Sequence, residues 1–215
     1  MFEKKVLNPN QIEIISKLGF LKAKNIYLGG GTGLAIQIGH RTSVDLDFFS
    51  EREPEMQLIV AGLQKAIKNI VIKRAKKHTM FAEAGDVDIS LFYYPYELLN
   101  PFVEVGSLYL ASVEDIIAMK MAAIIQRGTR RDFIDIFHLM RKYSIKQILE
   151  FTERKFSGYQ AVMALKALMY FDDADKEEET ARGITVFDKD FSWQGVKKEI
   201  FEEVKKYQLS MLKKD

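Results

Sequence analysis

The sequence contains no cysteine among its 215 residues. Disulfides, iron–sulfur clusters, thiolate metal sites and a cysteine nucleophile are therefore excluded, and the composition fits a reducing compartment. No apolar run reaches the roughly 20 residues that a membrane helix needs, and the start of the chain leads into no signal-peptide core. The sequence therefore predicts a cytoplasmic protein without a membrane span.

Strong charge of either sign is also missing, because the formal net charge is only +2. This mildly basic balance allows a nucleic-acid or nucleotide partner without requiring one. With 47% hydrophobic residues, the chain has enough apolar surface to form the core of one large domain or two small ones.

Hydrophobic periodicity changes about halfway along the chain. Strands are predicted at 25–28, 44–48, 69–75, 78–84 and 86–92. Helices are predicted at 8–18, 34–38, 54–67, from 112 to about 171, and at 192–212, with a solvated loop at 172–185. The shift near 101–111 predicts an α+β domain at 1–105 followed by a helical domain at 106–215.

The run Val44-Asp45-Leu46-Asp47-Phe48 alternates apolar and acidic residues. On a strand both carboxylates project from one face, which is a costly arrangement unless a cation lies between them. A second alternating run carries Asp86 and Asp88 on one face. If the two strands are neighbours, a third carboxylate joins the pair, since opposed Cβ atoms stand about 4.5–5.5 Å apart. The third ligand is Asp86 or Asp88, and the deeper position of Asp88 in the alternation favours it.

Three carboxylates can hold two divalent cations. Two metal ions roughly 3.5–4 Å apart form the clamp used in nucleotidyl transfer, where one lowers the pKa of the attacking hydroxyl and the other neutralises the triphosphate. Mg²⁺ suits such a site because it keeps few protein ligands and completes its octahedron with substrate phosphates. We therefore expect a two-metal Mg²⁺ site, with Mn²⁺ as the alternative ion.

The run Gly29-Gly30-Gly31-Thr32-Gly33 lies at the start of a predicted helix, where unencumbered backbone N–H groups bind phosphate oxygens. It is not a Walker loop, because no Gly-Lys-Ser/Thr ending follows. It is not a dinucleotide fingerprint either, because Leu34 or Ile36 occupies the place of the last glycine. A Gly-Gly step, a helix and then a strand with Asp-x-Asp form a different pattern.

This pattern resembles a known family. Gly30-Gly31, thirteen intervening residues, Asp45-Leu46-Asp47-Phe48 and a later Asp88 are similar to the active-site motif of DNA polymerase β-like nucleotidyltransferases. The longer string from Gly30 through His40-Arg41 and Ser43 to Phe49 resembles the AbiEii/AbiGii-type nucleotidyltransferase toxins of abortive-infection and toxin–antitoxin systems. Lys120, Arg127 and the run Arg131-Asp132-Phe133-Ile134-Asp135 extend the likeness, and Arg131 replaces the lysine of that group's Lys-Asp-x-x-Asp motif.

The resemblance implies a mixed β-sheet core of the polymerase β type, closed on one side of its cleft by the helical domain. It implies transfer of a nucleoside monophosphate from an NTP to a hydroxyl acceptor, with RNA or tRNA as acceptor and an antitoxin as protein partner. The residues expected to be catalytic are Asp45, Asp47, Asp88, Lys120 and Asp132, the first three as Mg²⁺ ligands. Those expected to bind substrate are Gly30, Gly31, Thr32, Arg41, Ser43, Arg127, Arg131 and Asp135.

Several alternatives stay open at this point. The acceptor could be a small hydroxylated molecule, as in antibiotic-modifying relatives, or the protein could be a non-catalytic nucleotide or RNA sensor of the same fold. Asp132 and Asp135 could pair with Arg131 or Lys120 instead of acting on the acceptor. The basic residues from Lys73 to Lys77 are more typical of an edge strand kept soluble than of an RNA contact.

Overall fold

The computed structural model describes residues 5–177 and 183–212. The chain forms two compact units. The first runs through Val113 and also includes a short return segment that ends at Thr185, and the second begins at Glu114 and resumes at Val186. No helix in the described ranges is long and apolar enough to cross a membrane.

In its described residues, the first unit combines three α-helices with seven strands. Its helices are α1 (Pro9–Lys17), α2 (Gly30–Ile38) and α3 (Met56–Ala66), and a 3₁₀ helix spans Gly19–Lys24. Its strands are β1 (Tyr27–Leu28), β2 (Leu46–Ser50), β3 (Val71–Lys76), β4 (Thr79–Ala84), β5 (Val87–Tyr93), β6 (Val103–Val105) and β7 (Leu108–Leu110).

All seven strands join one sheet in the order β3-β4-β5-β2-β1-β7-β6. The sheet is mixed, because β2 pairs with β5 and β1 with β7 in parallel, whereas the other pairs are antiparallel. The predicted α+β class with a mixed sheet is therefore confirmed.

Alternation along the strands gives the sheet two different faces. One face carries Leu46, Phe48, Ile89 and Leu91 into the hydrophobic core, together with buried residues of α1, α2 and α3. The opposite face, which we call the second face, carries the residues at the alternate positions of the same strands. On β2 and β5 these are Asp47, Phe49, Asp88, Ser90 and Phe92, all half-buried or exposed.

The return segment belongs to the first unit through backbone pairing. The Thr42 N–H donates to the Thr185 carbonyl at 2.9 Å, and the Thr185 N–H donates to Thr42 Oγ1 at 2.7 Å. These bonds attach the return segment to the residues that lead into β2.

The second unit is helical in its described residues. Its helices are α4 (Val113–Gln126), α5 (Arg130–Met140), α6 (Ile145–Lys155), α7 (Ala161–Leu168), α8 (Asp172–Asp175) and α9 (Trp193–Leu212). Lys155 Nζ lies 2.8 Å from Asp115 Oδ1, and both side chains are completely buried. An isolated buried charge is energetically very unfavourable, so separating the two helices inside the protein would leave both charges without a partner. The ion pair therefore holds α6 against α4.

The predicted strands and the final helix are present with ends shifted by a few residues, but two features differ. β6 and β7 form a hairpin inside 101–111, where the sequence indicated only a change of period. Each has three residues, too few for a period of two to stand out. The predicted loop at 172–185 contains the short helix α8, and its part from 178 to 182 lies outside the described residues.

Candidate active site

The glycine turn lies directly against Asp47. Gly29 is the N-cap of α2, and its N–H donates to the Asp47 carbonyl at 3.0 Å. Gly30 has a φ of +58°, in the left-handed region that glycine adopts without strain. A Cβ on Gly30 would stand 3.1 Å from Asp47 Oδ2. The start of α2 and the Asp47 carboxylate are therefore in contact, as the predicted site requires.

Arg41 is buried beneath this turn, with only 2% of its surface exposed. A Cβ on Gly31 would overlap Arg41 Nη2, so the guanidinium can lie here only because residue 31 is glycine. Arg41 Nη1 also donates to the Thr42 carbonyl at 2.9 Å. Arg41 thus supports the turn from below and adds positive charge beside it.

Thr32 and Ser43 form a second support for the turn. Both are buried, and Thr32 Oγ1 lies 2.7 Å from Ser43 Oγ. The Thr32 hydroxyl also bonds to the Asp45 carbonyl oxygen. These contacts fix the segment before β2 against the first turn of α2, so Asp45 is held at its backbone.

The strands that carry the acidic residues are neighbours, which is the condition under which a third carboxylate could join the pair. β2 and β5 run in parallel, with Leu46 beside Ile89 and Asp47 beside Ser90. Asp45 and Asp88 are the residues immediately before the first of these pairs. Asp88 therefore lies on the second face of the sheet, one strand away from Asp45 and Asp47.

The two candidates for the third carboxylate have different surroundings. Asp86 lies in the turn before β5, where it accepts hydrogen bonds from Asn10 Nδ2 at 2.6 Å and Asn8 Nδ2 at 3.2 Å. Because Asn8 is the N-cap of α1, Asp86 serves the start of that helix. Asp88 is 62% exposed and lies on the same face as Asp47. The geometry favours Asp88 as the third carboxylate.

Lys73 is a residue of this site that the sequence alone did not assign to it, because the basic residues from Lys73 to Lys77 indicated only a soluble edge strand. Its ammonium pairs with Glu83 and lies 3.9 Å from Asp88 Oδ1. The hydrogen bond that Lys73 donates to Glu83 raises the pKa of Lys73, with a smaller contribution from the charge of Asp88. Val71 pairs with Glu83, which in turn pairs with Asp88, so alternation along β3 places Lys73, two residues after Val71, on the same face as Asp88.

The candidate ligands are of the chemical type that Mg²⁺ binds, because all three are carboxylates and Mg²⁺ prefers oxygen ligands. Asp45 and Asp47 come from one strand and Asp88 from its neighbour. Within residues 5–177 and 183–212, no three acidic, histidine or cysteine side chains are already gathered as a metal cage. The Asp88 carboxylate is instead within reach of Lys73, so a third ligand from β5 requires that side chain to turn.

A buried charged cluster joins α4 and α5 in the second unit. Lys120 Nζ lies 2.9 Å from Asp132 Oδ1 and 2.6 Å from Asp135 Oδ2. Thr129 Oγ1 donates to the second oxygen of Asp132 at 2.7 Å, and Arg127 Nε stands 3.5 Å from the same oxygen. The pairing of both aspartates with Lys120, one of the alternatives that the sequence left open, is therefore present.

Asp132 is ionised more easily than a free aspartate despite its burial. Burial alone would raise its pKa, but the charge of Lys120, the hydroxyl of Thr129 and the guanidinium of Arg127 together hold the pKa below its ordinary value of 3.8. Arg131 is half-buried in the first turn of α5, whereas the Arg127 side chain is 65% exposed. Arg127 is therefore the cation of this group that solvent or a ligand reaches most easily.

Comparison with known proteins agrees with this geometry. Residues 20–197 match the family model described as nucleotidyl transferase AbiEii toxin, type IV toxin–antitoxin system. An uncharacterised protein of Aquifex aeolicus strain VF5, aq_aa25, is 33% identical over 210 residues, which covers 94% of this chain and 97% of the relative.

Solved structures share the fold at low sequence identity. A nucleotidyltransferase-like protein of H. pylori superposes with a TM-score of 0.59 at 16% identity, covering 95% of this chain and 94% of its own. MenT4, a nucleotidyltransferase toxin of Mycobacterium tuberculosis H37Rv, superposes with a TM-score of 0.57 at 14% identity, covering 90% of this chain and 82% of its own. The family match spans most of the sequence, and the chain belongs to the AbiEii family of nucleotidyltransferase toxins.

Proposed function

We propose that this protein transfers a nucleoside monophosphate from an NTP to a hydroxyl group of an RNA, with tRNA as the first acceptor to test. In this proposal Mg²⁺ binds at Asp45, Asp47 and Asp88. The observation that carries it is the contact between the glycine turn and the Asp47 carboxylate, beside the strand that holds Asp88. Membership of a type IV toxin–antitoxin family also implies a cognate antitoxin.

The start of α2 supplies the site for the triphosphate. The first N–H groups of the helix have no partner within it, and the helix dipole makes this end positive. Gly30 and Gly31 add no side chain that would keep phosphate oxygens away. Arg41 beneath Gly31 adds a fixed positive charge, so we assign to it an electrostatic role from below the turn.

The position of Asp47 at the same helix end supports the proposal of a divalent cation at this site. A phosphate bound at the turn would come close to the Asp47 carboxylate, and two negative groups repel each other strongly where water is scarce. Bound Mg²⁺ would neutralise the triphosphate and lower the pKa of the acceptor hydroxyl. Asp45 and Asp47 hold the cation in this proposal, and Asp88 completes the ligand set from the neighbouring strand.

The reaction is an in-line displacement at the α-phosphorus. The acceptor hydroxyl oxygen forms a new bond to this phosphorus, while the bond to the β-phosphate oxygen breaks and pyrophosphate leaves. The proton of the hydroxyl passes to the Asp88 carboxylate. The protein contributes mainly by positioning the two reactants and by placing charge where it develops.

The cluster of α4 and α5 has a supporting role in this proposal. Lys120, Asp132 and Asp135 satisfy each other in buried ion pairs, which suits them to fix the two helices rather than to exchange protons. Arg127, with its exposed side chain, is the cation of this cluster that is best placed to contact a phosphate group.

The proposal is tested by incubating the protein with each α-labelled NTP, Mg²⁺ and total tRNA, and by separating the products on a denaturing gel. We expect label on RNA from at least one NTP, and its loss with Asp45→Ala, Asp47→Ala or a chelator. Asp86→Ala is the matched control and should retain transfer. Failure to label any RNA, protein or small-molecule acceptor would refute the proposal.

A further inference from the structure

A row of aromatic rings crosses the second face of the sheet next to the acidic residues. Phe81 of β4 and Phe92 of β5 have ring centroids 5.7 Å apart, and Phe92 and Phe49 of β2 are 5.6 Å apart. All three rings are half-buried. A partly solvated sheet face normally carries polar side chains, so three adjacent phenylalanines here need an explanation.

The register places this row close to the candidate active site. Phe49 follows Asp47 by two residues on β2, and Phe92 follows Ser90 by two residues on β5. Side chains two residues apart on a strand share a face and are separated by roughly 7 Å. The rings therefore lie about one nucleotide length from the Asp47 carboxylate.

Cations lie at the other end of the row. β3 is an edge strand, and in its antiparallel register Arg74 stands opposite Phe81 and Lys76 opposite Thr79. Directly opposed residues project from the same face, so both cations share the face of the rings. Both side chains are exposed, and so is Lys73, which contacts Glu83 and Asp88 from the same strand.

We propose that the second face of the sheet binds the acceptor as single-stranded RNA, with bases stacked on Phe81 and Phe92 and phosphates contacting Arg74 and Lys76. The inference rests on the proposed function and names the form of its acceptor. Aromatic side chains accept any unstacked base, and cations alongside them follow the backbone, which is how proteins hold single strands without reading their sequence. A strand bound in this way ends beside Asp47 and Asp88.

Equilibrium binding of a short, unstructured, fluorescently labelled RNA tests the proposal, without NTP and without divalent metal. By fluorescence anisotropy, Phe81→Ala and Phe92→Ala should each weaken binding by about 5- to 150-fold, the effect of losing one stacked base. Phe81→Trp should retain binding, since the larger ring still stacks. Arg74→Ala should lower the slope of log Kd against log salt by about 0.7, the effect of one lost phosphate contact with a single strand.

Matched controls come from other surfaces. Lys65 is exposed on α3 and Phe201 is exposed on α9, so Lys65→Ala and Phe201→Ala should leave the affinity unchanged. The same RNA annealed to its complement should bind much more weakly, because its bases are already stacked. Thermal melting of each variant checks that it is folded. If a ring variant does not fold, the salt dependence measured with Arg74→Ala tests the proposal instead.

Three results would overturn the inference. These are unchanged affinity in the ring variants, equal binding of the duplex, and weaker binding of NTP but not of RNA in the ring variants. Because the measurement needs no turnover, its outcome is separate from that of the transfer assay. Ring-dependent RNA binding without any transfer would support this surface and refute the transferase, whereas transfer with ring-independent RNA binding would do the reverse.

Discussion

Gly30 and Asp47 are in such close contact that one added methyl group on the glycine would approach the carboxylate oxygen to 3.1 Å. The contact joins the first residue of α2 to the second residue of β2, which lies seventeen positions later in the sequence. It couples the proposed phosphate site to the proposed metal site. A side chain added at Gly30 would therefore displace the Asp47 carboxylate.

The first prediction compares two glycines with positive φ. Gly30→Ala and Gly85→Ala should each lower the free energy of unfolding by about 1–2 kcal/mol, because both residues have left-handed backbones. Only Gly30→Ala should also lower the transfer rate, by about 100-fold, since a Cβ at Gly85 meets nothing within 4 Å. Urea unfolding and initial rates of label transfer measure the two effects. Equal rates in the two variants would contradict the prediction.

The second prediction separates Asp86 from Asp88. Asp88→Ala should lower transfer by at least about 100-fold, as expected for a group that accepts a proton in the reaction. Asp86→Ala should leave the rate within about threefold and instead lower the free energy of unfolding by about 1 kcal/mol, because Asn8 and Asn10 lose their acceptor. Initial rates and urea unfolding of both variants are compared. An inactive Asp86→Ala beside an active Asp88→Ala would reverse the assignment of the third carboxylate.

The third prediction concerns the buried pair of Asp115 and Lys155. Lys155→Met leaves a buried carboxylate without its cation and should lower the free energy of unfolding by about 3–5 kcal/mol. The double change Asp115→Leu with Lys155→Met removes both charges and should recover most of that loss. Urea unfolding of the two variants provides the measurement. A double variant no more stable than the single one would show that the pair does not act as a unit.

The fourth prediction follows from Asp132. Its pKa in the folded protein lies below the ordinary value of 3.8, so folding favours the carboxylate over the protonated acid. The resulting stabilisation is present above the ordinary value and is lost as the pH falls through the lower folded value. Below about pH 4 the free energy of unfolding should therefore decrease more steeply in the wild type than in Asp132→Asn. Urea unfolding at several acidic pH values tests this, and parallel curves would contradict it.

Local signals made much of the first unit predictable from sequence. Asn8 and Gln11 form a reciprocal cap at the start of α1, with Pro9 as its first residue. The alternating residues around Asp45 and Asp47 do form a strand with Leu46 and Phe48 in the core. Such features depend on neighbours a few residues apart, which a sequence displays directly.

Contacts between distant segments were harder to predict. Lys73 reaches Asp88 because β3, β4 and β5 are consecutive in the sheet, and the aromatic row appears only when β4, β5 and β2 are placed side by side. The two short strands β6 and β7 carry too few residues for a pattern. In each case the position depends on the sheet order, which no single segment encodes.

The return segment that ends at Thr185 has a practical consequence for dividing this protein. The chain passes from one unit to the other three times, so a single cut cannot release either of them whole. A fragment that stops at Val113 would leave both hydrogen bonds between Thr42 and Thr185 unmade, at the residue between Arg41 and Ser43. Split genes, two-hybrid baits and circular permutants of this toxin should therefore keep the return segment that ends at Thr185, or supply that segment as a separate peptide.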